Sequence, residues 1–242
     1  MYEYRHYRDN LVQDESVKRY RIVQEESDIQ VTSEKDYSDF LKEELLKIRK
    51  DIKRAIAINP DFLHSLTPIE DERLESIEVA RLMIEASKKA QVGPFGAVAG
   101  AVNDLLAKAI LDKRILILEN GGDLYIAGNR DIRIGIYAGQ SPLSNKFALE
   151  LAKEDLPLGV CTSSATVGHA YSEGAADAGL VIGKNSALAD AFATAFTNRI
   201  KKEEDIEEAL NWVMGHEDIY GALAIMNDKI GAMGNIKLAE WK

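Results

Sequence analysis

Cysteine occurs once in the 242 residues, at Cys161. No disulfide can therefore close within the chain, and no thiolate metal cluster can be built from one copy. Histidine is nearly as scarce: His6, His64, His169 and His216 stand far apart, with none of the spacing of a zinc site. Basic residues are in the minority, 30 Lys and Arg against 40 Asp and Glu, for a formal charge of −10. That balance argues against the basic face of a nucleic-acid binder and against attraction to an anionic membrane surface. No stretch approaches the about 18 uninterrupted apolar residues of a membrane span, and "MYEYRHYRDNLVQDE" has no apolar run of signal-peptide length. Low-complexity tracts and flexible linkers are missing as well. The absences together predict a soluble, cytoplasmic protein whose partner is a small molecule, with no nucleic acid and no membrane; a homo-oligomer stays open.

The hydrophobic share, 46%, is enough for a substantial core. "VKRYRIVQEESDIQVTSE" reads as two strands around a polar turn at Glu25 to Asp28. Helical spacing runs from Asp36 to Ile58 through Leu41, Leu45, Ile48 and Ile52, and again from Asp71 to Ala90. At Val92 the composition shifts toward Gly and Ala. "GPFGAVAGAVNDLLAKAIL" predicts a buried helix, and "RILILEN", "DLYIAG" and "IRIGIYAG" predict strands. Asn145 to Glu154 is predicted as a helix, Gly159 to Ser164 and Ala178 to Ile182 as strands, and "NSALADAFATAFTNRI" as a second small-residue helix capped by Asn185 or Ser186. Glu203 to Met214 follows as an acidic amphipathic helix, and an Asn-Asp-turned hairpin closes the chain. The expectation is one domain over 1–242, with the hairpin and two helices of 1–91 packed on the small-residue core of 92–242.

Three stretches carry candidate chemistry. In "ALADAFATAF", Asp190 and Thr194 are four apart and share a helix face lined by alanines. A carboxylate and a hydroxyl are hard oxygen ligands of the kind Mg²⁺ accepts, the remaining positions going to waters or substrate phosphates. The plain alternative is a solvent-facing Asp and a Thr bonded back to its own helix. In "ENGGDLYIAG", Gly121 and Gly122 can take positive φ beside Asp123, as a hairpin turn or as a bed for a ligand or phosphate. In "GVCTSSATVGHAYSEG", Cys161 and His169 are candidates for a nucleophile and its base, while Thr162, Ser163 and Ser164 are candidate donors to phosphate or carbonyl oxygens. A lone cysteine at a strand is more often a small buried hydrophobe, which makes this stretch one wall of a ligand pocket first and a catalytic pair second.

Taken in order, these fragments resemble the ApbE superfamily, whose best-known members are Mg²⁺-dependent flavin transferases that split FAD and attach the FMN half to a target threonine. Asn120-Gly121-Gly122-Asp123 is similar to the family's "N-x-GGD" turn, Thr162-Ser163 to its "TSG" segment and His169 to the histidine after it. "LVIGKNSALADAFATA" is similar to the strand and helix ending in "ADALSTA", whose aspartate and threonine bind magnesium; the resemblance gives those roles to Asp190 and Thr194. It implies an α+β fold of the tunnelling-fold-related type, with antiparallel or mixed sheets covered by helices and a pocket between the sheets. It also implies Mg²⁺ and FAD or FMN as cofactors. The departures are equally specific. Where the transferases carry "DLGGIAKGYAVD", this chain has "GPFGAVAGAVND", so Gly93 replaces the acid and Ala99 the lysine, and "HIIDPRTG" has no counterpart. Losing both charges removes attraction for phosphate oxygens, so FMN transfer itself is not expected. The blocks "GP", "ENGGD", "TSS" and "ADAxATA" resemble a cytoplasmic branch of archaea and bacteria with a suggested link to sulfide assimilation. Two other readings follow: a sulfur- or metabolite-handling protein using Cys161, and a scaffold presenting the acidic Glu203 to Glu208 face.

Overall fold

The computed structural model describes residues 17–111, 113–165 and 174–241. The described residues open with the hairpin β1 (Lys18–Gln24) and β2 (Ser27–Ser33), turned at Glu25, which takes a φ of 52°. Helix α1 (Ser38–Ile58) follows and buries Leu41, Leu45, Ile48, Ile52 and Ala55, the stripe expected of a surface helix laid on a core. A short α2 (Asp61–His64) leads through a connector to α3 (Glu78–Ala90). This second helix starts later than the predicted Asp71: Glu72–Leu74 is a 3₁₀ turn capped by the Asp71 side chain, and Ile77 is extended before the helix begins. A 3₁₀ turn at Pro94–Ala97 runs into α4 (Val98–Ala109).

Strands β3 (Ile115–Asn120), β4 (Asp123–Gly128), β5 (Ile132–Gly135), β6 (Phe147–Leu151), β7 (Leu158–Ser163) and β8 (Ala178–Gly183) come next. Then α5 (Ser186–Arg199), α6 (Asp205–Met214), β9 (Ile219–Met226), β10 (Lys229–Gly234) and β11 (Leu238–Glu240) complete the chain. Eight strands form one sheet in the order β1-β2-β3-β4-β7-β8-β9-β10, and three form a second in the order β11-β6-β5. Among the described residues every ladder is antiparallel. The fold is α+β as expected, with antiparallel rather than mixed sheets.

Period-two alternation sends the two faces of the large sheet to different cores. Leu116, Leu118, Tyr125, Cys161 and Val181 point to the helices, where Phe192 and Phe196 of α5 meet them. Ile117, Leu124, Ile126, Val160 and Leu180 point the other way, against Ile134, Leu149 and Leu151 of the small sheet. The central strands are covered on both faces, which is why β3, β4 and β8 read as continuous apolar runs. No helix among the described residues is long and apolar enough to cross a membrane.

The predicted helix over Asn145 to Glu154 is instead β6 followed by a 3₁₀ turn at Lys153–Asp155. "KFALELAKE" is rich in helix formers, but β5 and β11 pair with it on both sides, and Leu149 is fully buried opposite Ile134 and Leu238. Tertiary pairing overrides local propensity here. The space between the sheets, expected to hold the pocket, is filled by the second apolar core.

Helix α5 is the axis of the helical layer and is buried almost all round, from Ser186 through Thr197. Asn185 caps it, its side-chain oxygen accepting the Leu188 N–H at 2.9 Å. Gly100 lets α4 lie against the start of α5, since a Cβ built there would fall 2.1 Å from the Ser186 carbonyl oxygen. Gly100→Ala is expected to lower unfolding free energy by about 2 kcal/mol or more, the range for overpacking against backbone that cannot yield, as read by urea denaturation. An unchanged midpoint would contradict this packing.

Candidate functional site

Where α4 and α5 meet, two carboxylates bind backbone in opposite directions. Asp104 of α4 accepts the Ser186 and Ala187 N–H groups at 3.0 and 2.9 Å, meeting donors that the first turn of α5 cannot satisfy itself. The N-terminal dipole of α5 favours that negative charge. Burial nonetheless dominates and pushes the Asp104 carboxyl up to about 6, against the lowering effect of those two N–H groups. Asp190, at the second turn of α5, accepts the Gly100 N–H of α4 through Oδ2 at 2.9 Å. It is 8% exposed. Burial first, and the negative charge of Asp123 second, raise its pKa well above the usual carboxylate range; the Gly100 and Ala99 N–H groups oppose the shift and Asp104 adds to it.

Asp123 begins β4 directly after Gly121 and Gly122, which take φ of 74° and 105° as the turn requires. The Gly122 N–H donates to Glu119 Oε1 at 2.9 Å. Asp123 stands in register with Cys161 on β7, so the glycine turn, the cysteine strand and the start of α5 are neighbours. The Ser186 hydroxyl donates to the Leu124 carbonyl at 2.9 Å. Asn103, one residue before Asp104, donates to the Asp123 carbonyl at 2.9 Å. Its Oδ1 is buried and finds no partner among the described residues.

Thr194 lies one turn beyond Asp190, half-buried, with Oγ1 3.5 Å from the Gly96 carbonyl oxygen. The carboxylate, hydroxyl and glycine turn expected at the site are thus gathered around the α4–α5 junction, on the helix side of the large sheet. Thr162 pairs with Leu180, whose face belongs to the opposite core, while its carbonyl oxygen lies where a Cβ on Gly122 would be 3.5 Å away. Ser163 presents its carbonyl to the Thr197 hydroxyl at 3.4 Å, and Ser164 is half-buried at the strand end. The glycine turn and the Thr162 to Ser164 edge are therefore adjacent. His169 lies outside the described residues.

Cys161 does not have the setting of a nucleophile. It is fully buried, and its thiol donates to the Ser186 carbonyl at 3.4 Å. Burial, then Asp123 and Asp190, push its pKa well up, opposite to the depression that makes a thiolate. Among the described residues no three His, Cys, Asp or Glu side chains are placed to hold a metal by themselves. Any cation here would draw on hydroxyl, carbonyl and non-protein oxygens.

The two departures from the transferase pattern have structural counterparts. A Cβ on Gly93 would sit 1.7 Å from the Ser65 carbonyl oxygen, so the connector occupies the space an acidic side chain would need. Ala99 contributes its backbone N–H toward Asp190 and no charge. Asp104, Ser186 and Asn103 were missed by sequence reading. The available signal was an Asn-Asp pair inside the apolar helix "VAGAVNDLLAKA", three and four residues after the glycine whose N–H binds Asp190.

The chain matches the family described as AbpE bacteria over residues 9–217. UPF0280 protein MJ1526 of Methanocaldococcus jannaschii is 40% identical over 224 residues, covering 90% of this chain and 91% of that protein. A UPF0280 protein of Methanothermobacter thermautotrophicus is 38% identical over 205 residues, covering 82% and 77%. Among solved structures, the ApbE protein from Thermotoga maritima superposes with a TM-score of 0.60 at 14% identity, covering 89% of this chain and 96% of that one. The flavinyl transferase ApbE of Pseudomonas stutzeri gives 0.51 at 15% identity, covering 93% and 94%.

Two outcomes follow from the site's electrostatics. Cys161 is expected to resist alkylation at neutral pH in the native protein and to react fully once denatured; rapid native labelling, read by intact mass, would contradict its burial. Because burial raises the Asp104 carboxyl from its ordinary 3.8 to about 6, the folded chain holds a proton that the unfolded chain releases. Its contribution to stability is therefore present at low pH and lost as pH rises from about 4 to about 6. Relative to the wild type, Asp104→Asn should gain about 2 kcal/mol across that window, measured by urea unfolding at several pH values. A pH-independent difference would remove the assignment.

Proposed function

This chain belongs to the AbpE bacteria family, within the ApbE superfamily, and on that premise we propose that it binds a flavin or another phosphate-bearing small molecule together with Mg²⁺ at the α4–α5 junction. The observation that carries this reading is the placement of Asp190: buried, anchored by the Gly100 N–H, one turn from Thr194, and under the negative field of Asp123 and Asp104. A carboxylate destabilised in this way gains from a cation beside it. The donor set fits Mg²⁺, since the Asp190 carboxylate, the Thr194 hydroxyl and the Gly96 carbonyl are hard oxygens. Asp190 and Thr194 would hold the ion, with the remaining positions left to water and to phosphate oxygens. Bound there, the ion would supply neutralisation of phosphate charge.

The chain's own residues then have distinct tasks. Gly100 and Ala99 hold the Asp190 carboxylate through their N–H groups, which fixes its orientation. Gly121 and Gly122 leave the turn before Asp123 without side chains, so a flat or phosphorylated group can approach the backbone. Thr162 brings its carbonyl oxygen beside that turn, and Ser163 and Ser164 continue the neighbouring strand end. No acid or ammonium stands at positions 93 and 99, so the reading is binding, with transfer of FMN to a protein threonine left out. The names of the Thermotoga maritima and Pseudomonas stutzeri proteins support flavin as the class of ligand to try first.

Calorimetric titration of the purified chain with Mg²⁺, FMN and FAD tests this. Flavin binding that requires Mg²⁺ is expected. Asp190→Asn keeps an acceptor for the Gly100 N–H, and should abolish Mg²⁺ binding and weaken flavin affinity at least about tenfold, with the circular dichroism spectrum unchanged. Absence of heat with Mg²⁺ and both flavins would overturn the proposal, as would wild-type affinity in Asp190→Asn.

A further inference from the structure

Helices α4 and α5 touch at matching turns as they run in opposite directions. Gly96 meets Thr194, Gly100 meets Asp190, and Asp104 meets Ser186. Exposure falls along this ladder. Thr194 is half-buried, Asp190 is nearly covered, and Asn103, one residue short of the innermost contact, is fully buried. Asn103 is therefore at the floor of the junction, where a polar group without a partner is costly.

The Asn103 amide is satisfied at one end only. Its Nδ2 donates to the Asp123 carbonyl at 2.9 Å and lies 3.5 Å from the Leu118 carbonyl. Both neighbours are acceptors, so the amide cannot be turned end for end: the exchange would set Oδ1 against two carbonyl oxygens. Among the described residues, Oδ1 is the one buried side-chain polar atom without a hydrogen-bond partner. Folded proteins rarely leave such an atom unmet, and a water or an ion is the usual answer.

Position and chemistry select the partner. Ala99, Gly100 and Asn103 fall within about one turn of α4 and share a face. The first two give their N–H groups to Asp190, while Asn103 grips the strand residue whose charge acts on that carboxylate. The amide thus joins the turn that holds Asp190 to Asp123. Mg²⁺ sheds its hydration shell reluctantly and keeps several waters in a protein site. A water whose lone pair is committed to a cation can only donate, and a carboxamide oxygen can only accept.

We propose that Asn103 is a positioning residue of the junction, its Oδ1 accepting a hydrogen bond from a water carried by the divalent cation at Asp190. The bond holds the hydrated cation against that carboxylate from below. The inference rests on the cation reading given above, and adds to it a residue outside the Asp190 and Thr194 pair.

Calorimetry with Mg²⁺, and ¹⁷O water relaxation with Mn²⁺ in its place, test this on the full chain. The wild type should bind both ions, and its Mn²⁺ complex should hold at least one water longer than the free aqueous ion does. Asn103→Leu keeps the branched shape and removes the acceptor. It should weaken Mg²⁺ binding about tenfold or more, the usual consequence of losing a partner of a metal's ligand shell, and shorten the residence of the bound water. Asn103→Asp returns an oxygen to the same point and should restore both. Wild-type affinity and water residence in Asn103→Leu, or a wild-type Mn²⁺ complex whose waters all exchange as fast as on the free ion, would overturn this inference and leave Asp190 as a cation ligand. Absence of ion binding by the wild type would overturn both.

Discussion

The structure depends on a reciprocal exchange of backbone hydrogen bonds between α4 and α5. α4 receives the first N–H groups of α5 at Asp104, and returns its own Gly100 N–H to Asp190 of α5. Such an exchange requires the two backbones to be closer than ordinary side chains allow, and Gly100 together with the alanines of α5 provides that distance. Apolar packing alone would tolerate small rotations of one helix on the other. Directional bonds to carboxylates at both ends of the contact do not, so the register of α5 on α4 is specified rather than merely favoured.

Electrostatic cost is the other side of this arrangement. Burying Asp104 and Asp190 near Asp123 raises the pKa of both in the same direction, and for both the largest cause is loss of water. N–H donors recover part of that loss without removing it. Two buried carboxylates within each other's field, with the Thr194 hydroxyl one turn beyond Asp190, are where the proposal puts a cation. The same field acts on Cys161 in the opposite functional sense, since neighbouring negative charge and burial keep its thiol protonated. The negative charges that the proposed cation would offset thus also disfavour a thiolate.

The departures from the transferase pattern are built into the packing. The carbonyl of Ser65 stands where a side chain at position 93 would begin, and the connector bearing it is tied down by Phe62, which is fully buried and packs edge-on against Phe95 at 5.8 Å. Reversing the Gly93 replacement would therefore require the connector to move. The N-terminal third of the chain is in this sense a participant in the site's boundary. It also extends the large sheet through β1 and β2 and covers the helical layer with α1.

Much was legible in the sequence because local periodicity carries it. The 3.6-residue stripe of α1, the turn glycines before Asp123, a cap at Asn185 or Ser186 and the shared face of Asp190 and Thr194 follow from residue type and spacing alone; the coordinates agree with each and choose Asn185 for the cap. The resemblance of the ordered motifs placed the fold class as well. Tertiary structure decided what spacing cannot express. "FALEL" became a strand because two neighbours needed a partner, the space between the sheets closed around apolar side chains, and the candidate site came to lie on the helix side. Asp104 entered that site because its partners are backbone N–H groups 82 and 83 residues away, and a contact at that separation leaves no periodic trace in the chain.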